Sequence, residues 1–270
     1  MTIEVRAIAD SINSCGDRIT TMSWVYPRFI HAEVMTHRVF SRNASSSRAI
    51  PVSKMLKAIW NDPATPVHWG ANQAGMQARV ELTGWRKAAC QFIWRASSKL
   101  MCGSSWLMSV IGLHKQIANR VTEPWQHISV LVTSTEWDNF FALRCHPDAQ
   151  PEIQALAKQV EAVRHVSLPQ PLGDGEWHLP YVSSIGRQRM AKKSAVEVSA
   201  ARCCRVSYLN HGGSKSSLAE DHTLYAKLVK AVPPHMSPVE HQAQAAPGGQ
   251  YANLTGWRSH RYTLEHTSNA

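Results

Sequence analysis

Apolar and polar positions alternate over residues 2–9 and again over 18–25, which predicts two strands joined by a turn around 13–16. Pro27 then suits the first turn of a helix running through Arg38, with Phe29, Ile30, Val34 and Met35 as its buried face. From Thr36 to Arg48 the apolar pattern gives way to Ser, Asn and Arg. Ser and Asn compete for backbone hydrogen bonds, so this segment reads as a loop. Pro51 and Ser53 open a short helix ending near Trp60, and 61–75, rich in Pro, Gly and Asn, reads as loop.

Leu82, Trp85, Ala89, Phe92, Ile93 and Ala96 recur at three- and four-residue spacings, predicting a helix over 74–101 whose Trp and Met belong to the core. A helix over 114–121 stops before Pro124, and the apolar run within 125–132 predicts a strand. Thr133 to Glu136 has capping-box spacing and starts the next helix, which carries Asn139 and Arg144. Residues 151–165 form an amphipathic helix, and 165–186 is a loop-rich surface connection. Helices resume over 192–206 and 217–231, and the tail from Pro247 reads as a polar, partly mobile end.

Composition narrows the class. At 270 residues, 44% apolar and 18% charged, the chain is expected to be globular. No apolar run approaches the roughly 18 residues that span a bilayer, and the N-terminus lacks an apolar signal core. The six cysteines contain no CxxC pair, which points to a reduced, cytoplasmic setting. A net charge of +10 implies anionic partners: nucleic acid, or several phosphorylated small molecules in one pocket.

The segment 36–48 gathers His37, Arg38, Ser41, Asn43, Ser46, Ser47 and Arg48 without carboxylates to oppose them. Arg forks, hydroxyls and loop amides all donate to phosphate, so it suits an anion. The bland alternative is a solvated basic loop. It reads T-H-R-x-x-S-x-N-x-x-S-x-R and resembles the signature of the flavin-dependent thymidylate synthase (ThyX) family, R-H-R-x-x-S-x-N-x-x-S-x-R. Thr36 replaces the first Arg.

Further segments carry the same resemblance. Ser199 to Tyr208 is similar to the family's AARVSY-type segment, and His235 to His241 (HMSPVEH) to its HxSPFEH segment, with Glu220, Asp221 and Leu224 between them. Gly112 to Arg120 with Pro124, Asn139 to Arg144, and Ala149 to Ile153 resemble three others. In the usual member the AARVSY-type and HxSPFEH segments precede the signature; here they follow it. The chain is thus identified as a circularly permuted, divergent member, a rearrangement that folded domains tolerate.

The resemblance implies an α+β fold, ThyX-like, with an antiparallel or mixed sheet packed against long helices. It implies one domain over 1–270: a signature half 1–165, a connecting loop 166–190, a segment resembling the family's N-terminal part 191–245, and a tail 246–270. It implies a homotetramer with active sites at subunit interfaces. The implied reaction moves a one-carbon unit from methylenetetrahydrofolate to C5 of deoxyuridylate, with reduced FAD supplying hydride, NADPH as reductant and no metal. His37, Arg38, Ser41, Asn43, Asn139 and His235 would contact the flavin. Glu33, Ser46, Ser47, Arg48, Arg120 and Arg144 would hold the nucleotide, Arg144 being catalytic at the pyrimidine carbonyl edge, where a fixed cation stabilises developing negative charge.

Three further positions depart from the family besides Thr36: Glu33 stands for Gln, Ala44 for a carboxylate, and Asp148 for His. They leave open another pyrimidine such as deoxycytidylate, and hydroxymethyl in place of methyl. Two other classes stay open. His31-Ala32-Glu33 is a fragment of a zinc nucleotide deaminase motif, but no PCxxC completes it. The basic charge also fits a non-catalytic homologue that binds nucleic acid.

Overall fold

The computed structural model describes residues 2–206 and 216–267. The strands are β1 (Glu4–Ile12), β2 (Arg18–Pro27), β3 (Ser41–Ala44), β4 (His127–Ser134), β5 (Gln170–Pro171), β6 (Trp177–His178), β7 (Ala243–Tyr251) and β8 (Leu254–Ser259). The helices are α1 (His31–Val34), α2 (Val52–Asn61), α3 (Gly84–Val110), α4 (Lys115–Ala118), α5 (Asp138–Arg144), α6 (Pro151–Val166), α7 (Ser184–Arg189), α8 (Lys192–Cys204), α9 (Leu218–Val229) and α10 (His260–Thr267).

Among the described residues, one sheet runs β3-β4-β2-β1-β5 and a smaller one β6-β7-β8. Pairing is antiparallel except between β1 and β5, so the larger sheet is mixed. The expected α+β fold is therefore present. One face of β2 and β4 buries Met22, Trp24, Val130 and Val132 against α5 and α6, through Phe140, Ile153 and Leu156. Trp24 stacks on Phe140 with ring centroids 5.7 Å apart. Burying such rings is the main local driving force for this layer.

Several expected elements have different bounds. The helix expected from Pro27 to Arg38 is a 3₁₀ turn over Arg28–Ile30 followed by the single turn of α1. It stops early because the Thr36 hydroxyl donates to the Glu33 carbonyl at 2.6 Å, a local bond that competes with helix continuation. Ile30 and Val34 are buried as expected, but Met35 is exposed.

The signature segment is partly strand rather than loop. Ser41 to Ala44 pairs with Thr133 to Val130 of β4. Its polar side chains are used up inside the fold: the Ser41 hydroxyl accepts from Asn253 Nδ2 at 3.0 Å, and Asn43 Nδ2 donates to the Cys203 carbonyl at 2.8 Å. Polar residues make a buried strand only when such partners exist.

The helix expected from 74 begins at Gly84. The preceding residues instead form a strap, closed by a bridge between Gly70 and Glu81 and by Leu82 N–H donating to the Trp69 carbonyl at 2.8 Å. A Cβ at Gly70 would lie 2.2 Å from the Ala78 Cβ, so only glycine permits this approach. The apolar stripe of α3 is not core: Trp85, Phe92, Ile93, Leu100 and Leu107 are exposed. The helical period is as expected, but among the described residues nothing covers that face.

Past α4 a 3₁₀ turn continues over Asn119–Trp125 and contains Pro124. The capping box at Thr133 does not form, because Thr133 belongs to β4; its hydroxyl lies 2.6 Å from that of Thr21 and 2.8 Å from His241 Nδ1. The tail carries regular structure through residue 267: β7, β8 and α10 occupy it, with Trp257 and Leu254 packing on Ile19 and Leu172. Arg202 of α8 and Arg205 just past its end hold the fully buried Asp221 of α9 at 2.9 and 3.1 Å. Ser207 and Tyr208, which end the AARVSY-like segment, lie outside the described residues.

Candidate active site

Two concavities carry half of the expected site residues: Glu33 and Arg144 in one, Asn43, Ser46, Arg48 and His235 in the other. The first is a cleft of about 1090 Å³ whose lining includes Glu33, Arg144, Glu152, Phe29 and Trp94. Arg144 ends α5 and is gripped by the turn that follows α1. Its Nε donates to His37 Nε2 at 2.9 Å, its Nη2 donates to Thr36 Oγ1 at 3.2 Å, and its Nη1 lies 3.5 Å from Glu33 Oε2.

His37 must accept at Nε2, so its own proton sits on Nδ1 and the ring is neutral. The electrostatics agree. Burial, then the positive charges of Arg144 and Arg42, push its pKa down to about 4. Glu33 moves the other way: burial raises its pKa, Arg144 opposes the rise, and the nearby Glu152 charge adds to it. The result is a guanidinium fixed by two neutral acceptors and one carboxylate.

The second concavity, of about 420 Å³, is lined by Asn43, Ser46, Arg48, His114 and His235 among others, and no carboxylate is among the described residues of its lining. β3 delivers Asn43, the turn after it delivers Ser46 and Arg48, and the segment after α9 delivers His235. The His235 amide donates to the Leu228 carbonyl at 2.9 Å, anchoring that segment to α9. Hydroxyl, amide, imidazole and guanidinium groups facing one cavity form a donor set for phosphate oxygens.

The remaining expected residues lie elsewhere. Ser41 is buried against Asn253. Ser47 is buried, and its carbonyl accepts from Asn119 Nδ2 at 2.8 Å. Arg38 and Asn139 are exposed and line neither concavity. Arg120 is exposed, 3.8 Å from Glu123. Sequence reasoning missed His114, although it sits inside the quoted Gly112 to Arg120 segment, and missed Glu152, which ends the shared AQxE spacing. It had no signal for Phe29 or Trp94 as cleft walls. Among the described residues no group of three or more His, Cys, Asp or Glu is placed to hold a metal ion. Among them, too, no helix is long and apolar enough to cross a membrane.

The sequence model of the thymidylate synthase complementing protein family matches residues 19–169, more than half of the chain. The chain belongs to that family. As a member of the thymidylate synthase complementing protein family it is a flavin-dependent thymidylate synthase-like methyltransferase, and its chemistry is C5 methylation of a pyrimidine nucleotide. The family match contains both α1 and β3, so it spans Arg144 with its partners and the Ser46–Arg48 turn, but not His235. In solved structures the chain is similar to the UMP/dUMP methylase PolB from Streptomyces cacaoi. The form bound with 5-Br UMP is 17% identical, over 60% of this chain and 88% of that one, with a TM-score of 0.48. The form bound with 5-Br dUMP is 16% identical, over 60% and 90%, with a TM-score of 0.49. No curated protein matches the chain.

Proposed function

We propose that this family member converts dUMP to dTMP, taking the one-carbon unit from methylenetetrahydrofolate with FAD as cofactor and NADPH as reductant, in the cytoplasm. The observation that carries this reading is Arg144, presented at a large cleft by three fixed partners. As C5 of the pyrimidine becomes nucleophilic, negative charge gathers on the ring carbonyl. A preoriented guanidinium stabilises that charge without reorganising at the moment of reaction. Neutral His37 orients Arg144 without adding a competing charge, and Thr36 supplies a second acceptor where the usual family Arg would repel it.

Ser46 and Arg48 are assigned to the nucleotide phosphate, and Asn43 and His235 to the flavin. The carboxylate-free lining of their cavity supports this assignment, since the donor set suits the anionic parts of both molecules. His37, Arg38, Ser41 and Asn139 would complete the flavin contacts, and Glu33, Ser47 and Arg120 those to the nucleotide. When bound, the reduced flavin supplies the hydride. Arg144 and Arg48 line separate concavities, so a complete site requires the two to meet. The exposed apolar stripe of α3 supports assembly as a homotetramer in which they meet across subunits.

We also assign residues 191–245 to the family's N-terminal part, placed after the signature by circular permutation within one domain. The bond from Asn43 to the Cys203 carbonyl and the shared cavity of Ser46 and His235 support this. Glu33 in place of Gln favours, as a second reading, methylation or hydroxymethylation of dCMP. The test is an absorbance spectrum of the purified protein with added FAD, followed by titration with dUMP and dCMP. A flavin spectrum perturbed by dUMP supports the first reading, and one perturbed only by dCMP supports the second. No flavin binding at all would leave the non-catalytic nucleic-acid-binding alternative.

A further inference from the structure

Among the described residues that line the large cleft, three are carboxylates (Glu33, Asp148 and Glu152) and two are guanidiniums (Arg79 and Arg144). Glu33 and Glu152 both line it and sense each other electrostatically. Arg144 is the cation nearest Glu33, and its guanidinium is already shared with His37 and Thr36. Glu152 is 3% exposed, and its Oε1 accepts from the Val67 amide at 2.8 Å. Among the described residues no cation pairs with Glu152. The second cation of the cleft, Arg79, stands at the strap and pairs with Asp148 at 3.2 Å. A buried carboxylate without a cation is costly unless N–H donors reach it.

The walls indicate the shape of what supplies those donors. Phe29 and Trp94 meet edge to face, with centroids 6.4 Å apart, and both line the cleft. They offer flat apolar surface to a ring. At about 1090 Å³ the cleft also exceeds the usual range of small-molecule pockets, roughly 300–1000 Å³, so it has room for a second ring beside the one held at Arg144.

The geometry points to Glu33 and Glu152 as a recognition pair for a planar heterocycle that presents an amino group at its edge. This inference rests on the proposed function and names what that site reads. Two reactants of that chemistry have such an edge. The pterin of the one-carbon carrier presents a 2-amino group beside a ring N–H, and cytosine presents a 4-amino group. Uracil has no amino group. A carboxylate accepts from such donors, whereas the glutamine usual in the family divides its edge between donor and acceptor.

The experiment uses the full chain and the quenching of its tryptophan fluorescence, since Trp94 stands in the cleft wall. 5-Formyltetrahydrofolate, dCMP and dUMP are titrated into the unaltered protein, E152Q and E33Q. Circular dichroism melts identify any variant that fails to fold. E152Q retains an oxygen for the Val67 amide, and E33Q leaves Arg144 its two other partners. The quantity read is affinity for each amino-bearing ligand relative to dUMP. We expect that ratio to fall about tenfold or more in at least one folded variant, as for loss of a bidentate contact. A fall for the folate assigns the pair to the carrier ring, and a fall for dCMP assigns it to the substrate base. Unchanged ratios in both folded variants would overturn the inference while leaving the proposed function standing. Failure of the unaltered protein to bind any of the three would overturn both.

Discussion

Arg144 Nε donates to His37 Nε2 at 2.9 Å, so a charged guanidinium is anchored on a neutral imidazole. Salt bridges trade one charge against another; this contact adds no opposing charge to Arg144, whose one carboxylate partner is Glu33 at 3.5 Å. Arg144→Ala should therefore lower kcat by about 100-fold or more, in line with the loss of a charge-stabilising donor. Arg144→Lys, which keeps charge but loses the fork, should retain part of that activity. Steady-state kinetics on both variants checks this, and normal turnover by Arg144→Ala would remove it from the reaction.

Acid should destabilise the protein through its buried imidazoles. Ser11, His178, Thr21, Thr133 and His241 form one buried chain with links of 2.9, 2.8, 2.6 and 2.8 Å. Burial pushes the pKa of both histidines down to about 3. The folded state thus refuses protons that the unfolded chain accepts below about pH 6.5. Stability is full above that value and falls as pH drops from about 6.5 toward 3, by up to about 1.4 kcal/mol per pH unit for each histidine. Urea unfolding at pH 7.5 and 5.5 measures the slope, and His178→Gln should flatten it.

Asn43→Ala should cost about 1–3 kcal/mol, because the Cys203 carbonyl then loses its side-chain donor in a buried setting. The same change should weaken flavin binding. Asn43→Asp should be at least as damaging, since a carboxylate cannot donate to that carbonyl. Urea midpoints and flavin titrations separate the structural effect from the binding effect: equal flavin affinity in a folded Asn43→Ala protein would confine the residue to the fold.

The α3 stripe makes a prediction about assembly. Trp85 is 77% and Phe92 73% exposed, two turns apart on one helix face. Exposed apolar patches of this kind mark interaction surfaces. Phe92→Asp should shift the proposed tetramer toward smaller species in analytical ultracentrifugation, with little change in monomer circular dichroism. A monomeric unaltered protein with bound flavin and full activity would refute the shared site.

Local order was largely legible in the chain. The β1–β2 hairpin, α2, α6, α8 and α9 follow from periodicity, proline placement and turn chemistry, which act over a few residues. The donors gathered in 36–48 without an opposing carboxylate pointed to an anion, while the pyrimidine role of Arg144 was implied by the family resemblance. The family match over 19–169 includes these residues.

Everything that depended on a distant partner was decided by the tertiary structure. Residues 41–44 became strand because β4 offers a hydrogen-bonding edge, and Thr133 joined β4 because Thr21 and His241 satisfy its hydroxyl. Residues 67–82 became a strap because Gly70 lets the backbone close on Ala78. The stripe of α3 was correct in period and wrong in destination, since a helical pattern identifies an apolar face but not what covers it. The meeting of Glu33 with Glu152, and of Ser46 with His235, has no local trace at all. Periodicity records which way a side chain points along its own element. Which charges then face each other is set by how the elements pack, through burial and pairing energies that no single segment carries.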